Sequence, residues 1–369
     1  MKDLKSNSHI KQNIKILYLY DYEGWAIHNV GKLWLDNNKS IEVSYKEDKM
    51  FKKSDFKKYD LIWFGYLDIF INHYLTKLFS YSNINKCIIA VHDPLELFPQ
   101  QKNWKNEDIN LKKWWRIYSW YRWARLQMLL QVKHVVTTSD EMQLIIQKYG
   151  IYSHLLPTTS SLPLKKKVKI VTNKCSLLSV YEKYPRKNIE MIESIQDNCK
   201  DLKIEFNTKV GKKILSSNQY IKLIDDHEVY ICTSYQEGGP LPAMDAMQRG
   251  SVVITTPVGQ IQNIIKDGEN GFLCNTKNEF LKKIQLLSND LNLLHKMRIK
   301  SIDKLSQLRN SKHIKNQAFL LIENILSIED GVVEYDKAEY KLMIKWMYLK
   351  SIYYIYSKYS KYLNYFLKN

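Results

Sequence analysis

An α/β protein made of two successive halves is what this sequence predicts, and three observations carry the prediction. Apolar runs of strand length alternate with helix-period patterns over most of the chain. A proline- and hydroxyl-rich break, LPTTSSLPLKKK at Leu156–Lys167, interrupts the alternation and reads as an interdomain linker. Beyond it, EVYICTSYQEGGPLPAMDAM (Glu228–Met247) sets a strand, a glycine-proline loop and a helix in direct succession.

In the first half the strand runs are Ile14–Tyr20, Ile41–Tyr45, Asp60–Tyr66, Cys87–Asp93 and His134–Ser139. Helical patterns at Trp25–Asp36 and Glu141–Tyr149 fall between or after them, with Ser139 placed to cap the second. Continuous apolar strands alternating with helices argue for a parallel sheet covered on both faces. The second half reads strand at Val168–Thr172, Ser176–Val180, Leu202–Asn207, Glu228–Thr233 and Val252–Thr255. Its helices lie near Asn188–Gln196 and Leu241–Arg249, and Asp267-Gly268 and Asn270-Gly271 supply turn signals ahead of Phe272. Two Rossmann-like domains facing a cleft are therefore expected, at 1–160 and 161–330, with a basic aromatic helical extension at 331–369 that partly crosses back to the first domain. Ligands of such sheets sit outside the carboxyl ends of the strands.

The 369 residues leave room for two domains of common size. With 45% hydrophobic and 25% charged residues the composition is globular and excludes a disordered chain. Lysine and arginine outnumber acids by 56 to 38, a net +18, which favours nucleotides, nucleic acid or an anionic membrane as partners. The five cysteines form no C-x-x-C pair, so reduced thiols are expected in place of a disulfide framework or a zinc site. The polar start MKDLKSNSHIKQN lacks a signal-peptide core, and no apolar run reaches the roughly 18 residues that span a bilayer. A cytoplasmic location follows as the expectation, with attachment to a membrane face left open. The His and Asp residues lack metal-ligand spacing, so neither a metal nor a cofactor is expected.

The stretch from Tyr235 to Gly250 carries the chemistry. Pro240 and Pro242 fall where a first helical turn tolerates them. Gly238 and Gly239 leave the backbone able to approach a ligand, and unpaired amides plus the helix dipole suit a diphosphate. Glu237, just outside the helix, can accept hydrogen bonds from hydroxyls, and Asp245, about two turns in, reaches another part of an elongated ligand. Those features describe a nucleotide sugar. A capped helix behind an ordinary Gly-Pro turn accounts for the same residues.

SYQEGGPLPAMDAMQRGSVVITTPVGQIQNIIKDGENGFL (Ser234–Leu273) resembles the donor-binding segment of glycosyltransferase family 4, whose members have the GT-B fold. That pattern has an acid, a Gly-x-Pro-Leu step, a second acid after seven residues and Ala-Met. Glu237, Asp245, Ala246 and Met247 match those positions, and Asp267, Gly268 and Gly271 match a later turn. Asp245 stands where the pattern has glutamate, and Gly259-Gln260 carries one glycine where two are usual. The family's upstream arginine has no match in Val180-Tyr181-Glu182, so Arg186 or Lys183 stands in from a shifted position, beside Lys187-Asn188.

The resemblance implies a retaining, metal-independent hexosyltransferase that moves a sugar from a nucleotide-sugar donor to a glycan or lipid-linked acceptor. Cell-surface polysaccharide or lipopolysaccharide synthesis is the implied setting. Glu237 and His92 are then the catalytic candidates, and Arg186, Lys187, Gly238, Gly239, Pro240, Leu241 and Asp245 hold the donor. Gly24, Trp25 and Asp93 fall on the acceptor side, although the first loop has one glycine where the family often has a pair. A structural histidine at His92, a helix-start aromatic at Trp25 and a solvated basic loop at Arg186-Lys187 are the plainer alternatives.

Leu111–His134 interleaves four tryptophans with lysine and arginine, and Glu339–Asn369 repeats that chemistry with tyrosines. Both suit an anionic membrane surface, and nucleic acid is a less favoured partner. Packed helices with charged rims explain them as well. A DNA-directed glycosyltransferase and an inactive nucleotide-sugar-binding module are the alternative functions.

Overall fold

The computed structural model describes residues 13–36, 38–77, 79–93, 125–170, 175–181, 185–202, 204–210, 215–310 and 312–327. The extension expected at 331–369, residues 111–124 of the tryptophan-rich stretch, and Lys183 lie outside the described residues. Contacts divide the chain into two compact units. The first takes described residues from 13–90, 127–136 and 313–327, and the second from 91–93, 125–126 and 137–312.

The first sheet contains β1 (Ile14–Tyr20), β2 (Ile41–Glu47), β3 (Leu61–Phe64), β4 (Cys87–Val91), β5 (His134–Thr137) and β6 (His154–Leu155), in the order β2-β1-β3-β4-β5-β6. Helices α1 (Ala26–Leu35), α2 (Leu67–Lys77), α3 (Tyr81–Asn85) and α4 (Asp140–Gln147) alternate with these strands. All four residues of β3 and all five of β4 are buried, as continuous apolar runs require of central parallel strands. Ser139 caps α4, its hydroxyl accepting from the Met142 amide at 3.2 Å.

The second unit holds β7 (Ser176–Tyr181), β8 (Glu205–Val210), β9 (Val229–Cys232), β10 (Val252–Thr255) and β11 (Gly271–Leu273), in the order β11-β10-β9-β7-β8. Each neighbouring pair is parallel. Around the sheet run α5 (Ile189–Asp201), α6 (Ser217–Asp225), α7 (Leu241–Gln248), α8 (Ile261–Ile264), α9 (Lys277–Asn289) and α10 (Leu291–Asn310). The last helix, α11 (Lys312–Ser327), belongs from His313 onward to the first unit. The two-residue period of a strand divides its side chains between two cores. Leu177, Val229, Ile231 and Val252 pack in one layer with Ile192, Ile195 and Phe280, while Leu178, Tyr230 and Val253 pack in the other with Ala243, Met244 and Met247.

Three details differ from expectation. Of the strand expected at Val168–Thr172, residues 168–170 are not in a strand, the Lys169 carbonyl there accepting from Arg298, and residues 171–172 lie outside the described residues. Leu202 caps α5 and β8 begins only at Glu205. Third, the stretch read as a linker is tied down along its length. Thr158, Thr159 and Ser160 are buried, Leu162 and Pro163 offer carbonyls to Gln248 and Arg249, and Lys165 pairs with Asp225 at 3.1 Å. Among the described residues no helix is long and apolar enough to cross a membrane.

Candidate functional site

Strand order places the site. β7 lies between β8 and β9, so the second sheet reverses its winding direction between β7 and β9. At such a switch point the connections leave to opposite faces and open a crevice outside the carboxyl ends. A small pocket lies there, lined by Ser179 and Tyr181 of β7, Thr233 beyond β9, Lys187, Glu237 and Pro240.

Glu237 is its centre, with only 6% of its side chain exposed. Its Oε1 accepts from Lys187 Nζ at 2.5 Å and from the Ser234 hydroxyl at 2.7 Å, and its Oε2 accepts from Arg186 Nη1 at 2.8 Å. The same Arg186 nitrogen donates to Asp93 Oδ2 at 2.9 Å. Burial pushes the Glu237 carboxyl up, but the Lys187 and Arg186 charges outweigh it and hold the group below the ordinary glutamate value. The result is a buried carboxylate that stays ionised, with two cations within reach of the pocket.

Local backbone chemistry aims those cations. Arg186 and Lys187 sit in a 3-10 turn, Pro185–Lys187, that ends at Asn188 with φ +51°. Asparagine tolerates this left-handed conformation better than other residues with a side chain, which explains a Lys-Asn step here. From the end of β9, the Thr233 hydroxyl bonds to the carbonyls of Lys187 at 3.0 Å and Asn188 at 3.2 Å, and the Tyr235 amide donates to the Arg186 carbonyl at 2.8 Å. One strand end thus carries Glu237 and also holds the basic turn.

Gly238 and, beyond the loop, Gly259 also pack closely against the chain itself. A Cβ on Gly238 would lie 1.8 Å from the His92 carbonyl oxygen, and one on Gly259, whose φ is +51°, would lie 2.3 Å from the Glu237 and Gly238 carbonyl oxygens. Close approach of chain to chain therefore requires glycine at both positions. Of the four residues expected to offer amides, Pro240 has no N–H, which leaves Gly238, Gly239 and Leu241. Pro240 is the N-cap of α7 and Pro242 lies in its first turn, as read from the sequence.

Asp245 is in a setting of its own. Its Oδ1 accepts from the Ser160 hydroxyl at 2.6 Å and its Oδ2 from the Tyr220 hydroxyl at 3.1 Å. Burial pushes its carboxyl up to about 6, with those two hydroxyls offsetting part of the effect. It does not line the pocket that contains Glu237.

Asp93, Arg186, Lys187 and Glu237 are thus brought into one network. His92 adjoins it through its carbonyl, which accepts from the Thr138 hydroxyl at 3.3 Å. Gly24 and Trp25 belong to the first unit. The Gly24 amide donates to His28 Nδ1 at 2.8 Å, and Trp25, 45% exposed, meets the Tyr22 ring at 4.9 Å between centroids. Sequence reasoning missed Ser234, Thr233, Gln260, Ser160 and Tyr220. Only Ser234 had a local signal, standing three residues ahead of Glu237. Among the described residues no group of three His, Cys, Asp or Glu side chains is placed to hold a metal.

Residues 165–304, a span that includes most of this site, match the family model described as glycosyl transferases group 1. No curated protein sequence matches the chain. Among solved structures, HepE of Anabaena in complex with UDP and glucose aligns at a TM-score of 0.58 and 13% identity, covering 84% of this chain and 100% of its own. Sucrose-phosphate synthase of Thermosynechococcus elongatus aligns at 0.58 and 14%, covering 85% of this chain and 99% of its own. A TarM mutant of S. aureus, in complex with Fondaparinux, alpha-GlcNAc-glycerol and UDP, aligns at 0.54 and 14% over 71% of this chain. That alignment spans 55% of TarM, so this chain corresponds to about half of it. The fold is GT-B, with two parallel sheets flanked by helices.

Proposed function

We propose that this protein is a retaining glycosyltransferase that takes a sugar from a nucleotide-sugar donor and passes it to a glycan or lipid-linked acceptor. The observation that carries this reading is the ionised Glu237 carboxylate beneath Arg186 and Lys187, at the switch point of the second sheet. The match of residues 165–304 to glycosyl transferases group 1 supports it.

In this reading Arg186 and Lys187 take up the charge that develops on the departing diphosphate, the largest electrostatic task of the reaction. Amides of Gly238, Gly239 and Leu241 at the start of α7 add to that field. Glu237 accepts hydrogen bonds from the donor sugar and orients it, with His92 as a further contact. Asp245 takes the ribose once its Ser160 or Tyr220 partner yields. Gly24, Trp25 and Asp93 serve the acceptor side. The acceptor hydroxyl attacks the face from which the diphosphate leaves, so the product keeps the donor's anomeric configuration. Because side-chain cations do the work of a divalent ion, transfer is expected to persist in a chelator.

The finer setting is cell-surface polysaccharide or lipopolysaccharide synthesis, with the basic aromatic stretches Leu111–His134 and Glu339–Asn369 holding the protein on an anionic membrane face.

UDP was bound in the HepE and TarM structures, so uridine donors are the first to test. The experiment is a panel of UDP-, GDP- and ADP-sugars assayed for binding, hydrolysis and transfer, with Glu237→Ala beside the wild type. Binding of one donor class, and turnover lost in the variant, is the expected result. A wild-type protein that binds no member of the panel overturns the reading.

A further inference from the structure

The loop after β1 carries an aromatic pair that neither packing nor capping explains. Tyr22 and Trp25 are 57% and 45% exposed, and their rings meet at 4.9 Å between centroids with 44° between their planes. Trp25 occupies the N-cap of α1, a position where serine, threonine, aspartate or asparagine would bond the first amides. Its side chain makes no such bond. A large apolar residue here serves neither the core nor the helix start.

The turn that presents the pair is fixed. Gly24 takes a φ of +78°, and the Trp25 amide donates to the Tyr22 carbonyl at 3.2 Å. The Gly24 amide donates to His28 Nδ1 at 2.8 Å, and Asn29 Nδ2 donates to the Gly24 carbonyl at 2.9 Å. His28 is buried and stacked on Tyr20 at 4.3 Å, and that burial holds its pKa below the ordinary value, which keeps Nδ1 able to accept. Both rings are thus held in place ahead of any ligand, which removes the cost of ordering them on binding. The loop leaves the carboxyl end of β1, which lies between β2 and β3 where the first sheet reverses its winding.

Charge narrows the class of ligand. β1 and β2 end side by side, with Tyr20 opposite Glu47. Residues 21–25 and 47–50 hold four carboxylates, Asp21, Glu23, Glu47 and Asp48, against one cation, Lys49, which pairs with Glu47 at 2.5 Å. In a chain of net +18 this rim is locally acidic. Carboxylates accept hydrogen bonds from hydroxyls, and they repel phosphates and an anionic lipid surface. The negative face of an aromatic ring attracts the polarised C–H face of a sugar.

We propose that Tyr22 and Trp25 form a stacking platform for an uncharged sugar ring of the acceptor. The surrounding carboxylates take its hydroxyls and turn away rings that carry phosphate or carboxylate. This rests on the glycosyltransferase reading above and adds to it the chemistry of the acceptor's docking ring.

The test is fluorine NMR of the full chain labelled with 5-fluorotryptophan, the Trp25 signal being identified by its loss in Trp25→Tyr. The probes are the methyl glycosides of glucose, galactose, mannose and N-acetylglucosamine, then glucose 1-phosphate and glucuronic acid, then phosphatidylglycerol vesicles. A saturable shift of the Trp25 signal with at least one methyl glycoside is expected, with the two charged sugars weaker by about tenfold. Saturation-transfer NMR on unlabelled protein should show glycoside affinity reduced about tenfold in Trp25→Ala and largely kept in Trp25→Tyr. Glu23→Gln should narrow the gap between the glycoside and glucose 1-phosphate. The proposal is overturned if no methyl glycoside moves the Trp25 signal, if the charged sugars bind as tightly, if Trp25→Ala binds like wild type, or if the vesicles shift the signal. Nucleotide-sugar binding by wild type is read separately, so its absence counts against the donor site and not against the platform.

Discussion

Gln260 closes three hydrogen bonds on Thr158. Its Oε1 accepts from the Thr158 amide and hydroxyl, both at 3.0 Å, and its Nε2 donates to the Thr158 carbonyl at 2.7 Å. Both residues are buried, and they lie 102 positions apart. The Gln260 amide also donates to the Gly238 carbonyl at 2.9 Å, so one residue joins the strap at Thr158 to the loop beside Glu237.

Gln260→Ala should therefore leave a buried amide and carbonyl of Thr158 without partners. A loss of about 2–3 kcal/mol is expected, since orphaned buried polar groups keep their full desolvation cost. Urea denaturation of wild type and variant measures it. Gln260→Glu should fare little better, because an acceptor-only carboxylate cannot donate to the Thr158 carbonyl.

Gly238→Ala tests the close approach to His92. The added methyl would sit 1.8 Å from a carbonyl oxygen, a clash with backbone on both sides that no rotamer relieves. Destabilisation of about 3 kcal/mol or more is expected, seen as a fall in Tm. Gly239→Ala, whose methyl would meet Met244 and Thr158 at 3.2 Å, should be milder.

Glu237→Gln removes the carboxylate and leaves two cations facing an amide. Transfer should drop by about 100-fold or more, and stability at neutral pH by about 3 kcal/mol. The folded pKa of Glu237 lies below its unfolded value. Its stabilisation is thus present above the unfolded value and is lost as pH falls through the folded one. Wild type and Glu237→Gln should converge in stability on acidification, a trend that denaturation at a series of pH values follows.

Asp245 has the opposite sign. Its folded pKa, about 6, lies above the unfolded value. Its contribution is fully present below the unfolded value and disappears as pH rises through about 6. Asp245→Asn should flatten that segment of the stability curve. If the carboxylate also receives ribose hydroxyls, nucleotide affinity should rise through the same interval in wild type and stay level in the variant, which calorimetry at pH 5, 6 and 7 would register.

Periodicity and local chemistry made most strands legible in the sequence, and of the helices α1, α4, α5 and α7. Ile14–Tyr20 and Val252–Thr255 are strands with the expected bounds, and the Leu241 helix opens where its prolines allow. Val168–Ile170 misled, since an apolar-basic stretch has strand composition whether or not a neighbouring strand is there to pair with. The Thr158–Ser160 run misled as well. Prolines and hydroxyls mark irregular backbone, and they carry no information on whether that backbone is buried.

By itself, the sequence determined the alternation of elements, the glycine-proline helix start and the presence of acids and bases around it, because each depends on residues a few positions apart. Tertiary structure alone decided which of those groups meet. Pairing β7 with β9 sets Arg186 against Glu237 across 51 positions, and the same Arg186 meets Asp93 across 93. Register and crossover in a parallel sheet are long-range properties, settled by burying both faces of the sheet at once. For that reason Asp245, eight residues from Glu237 in the chain, ended with Ser160 and Tyr220 in a setting of opposite electrostatic sign.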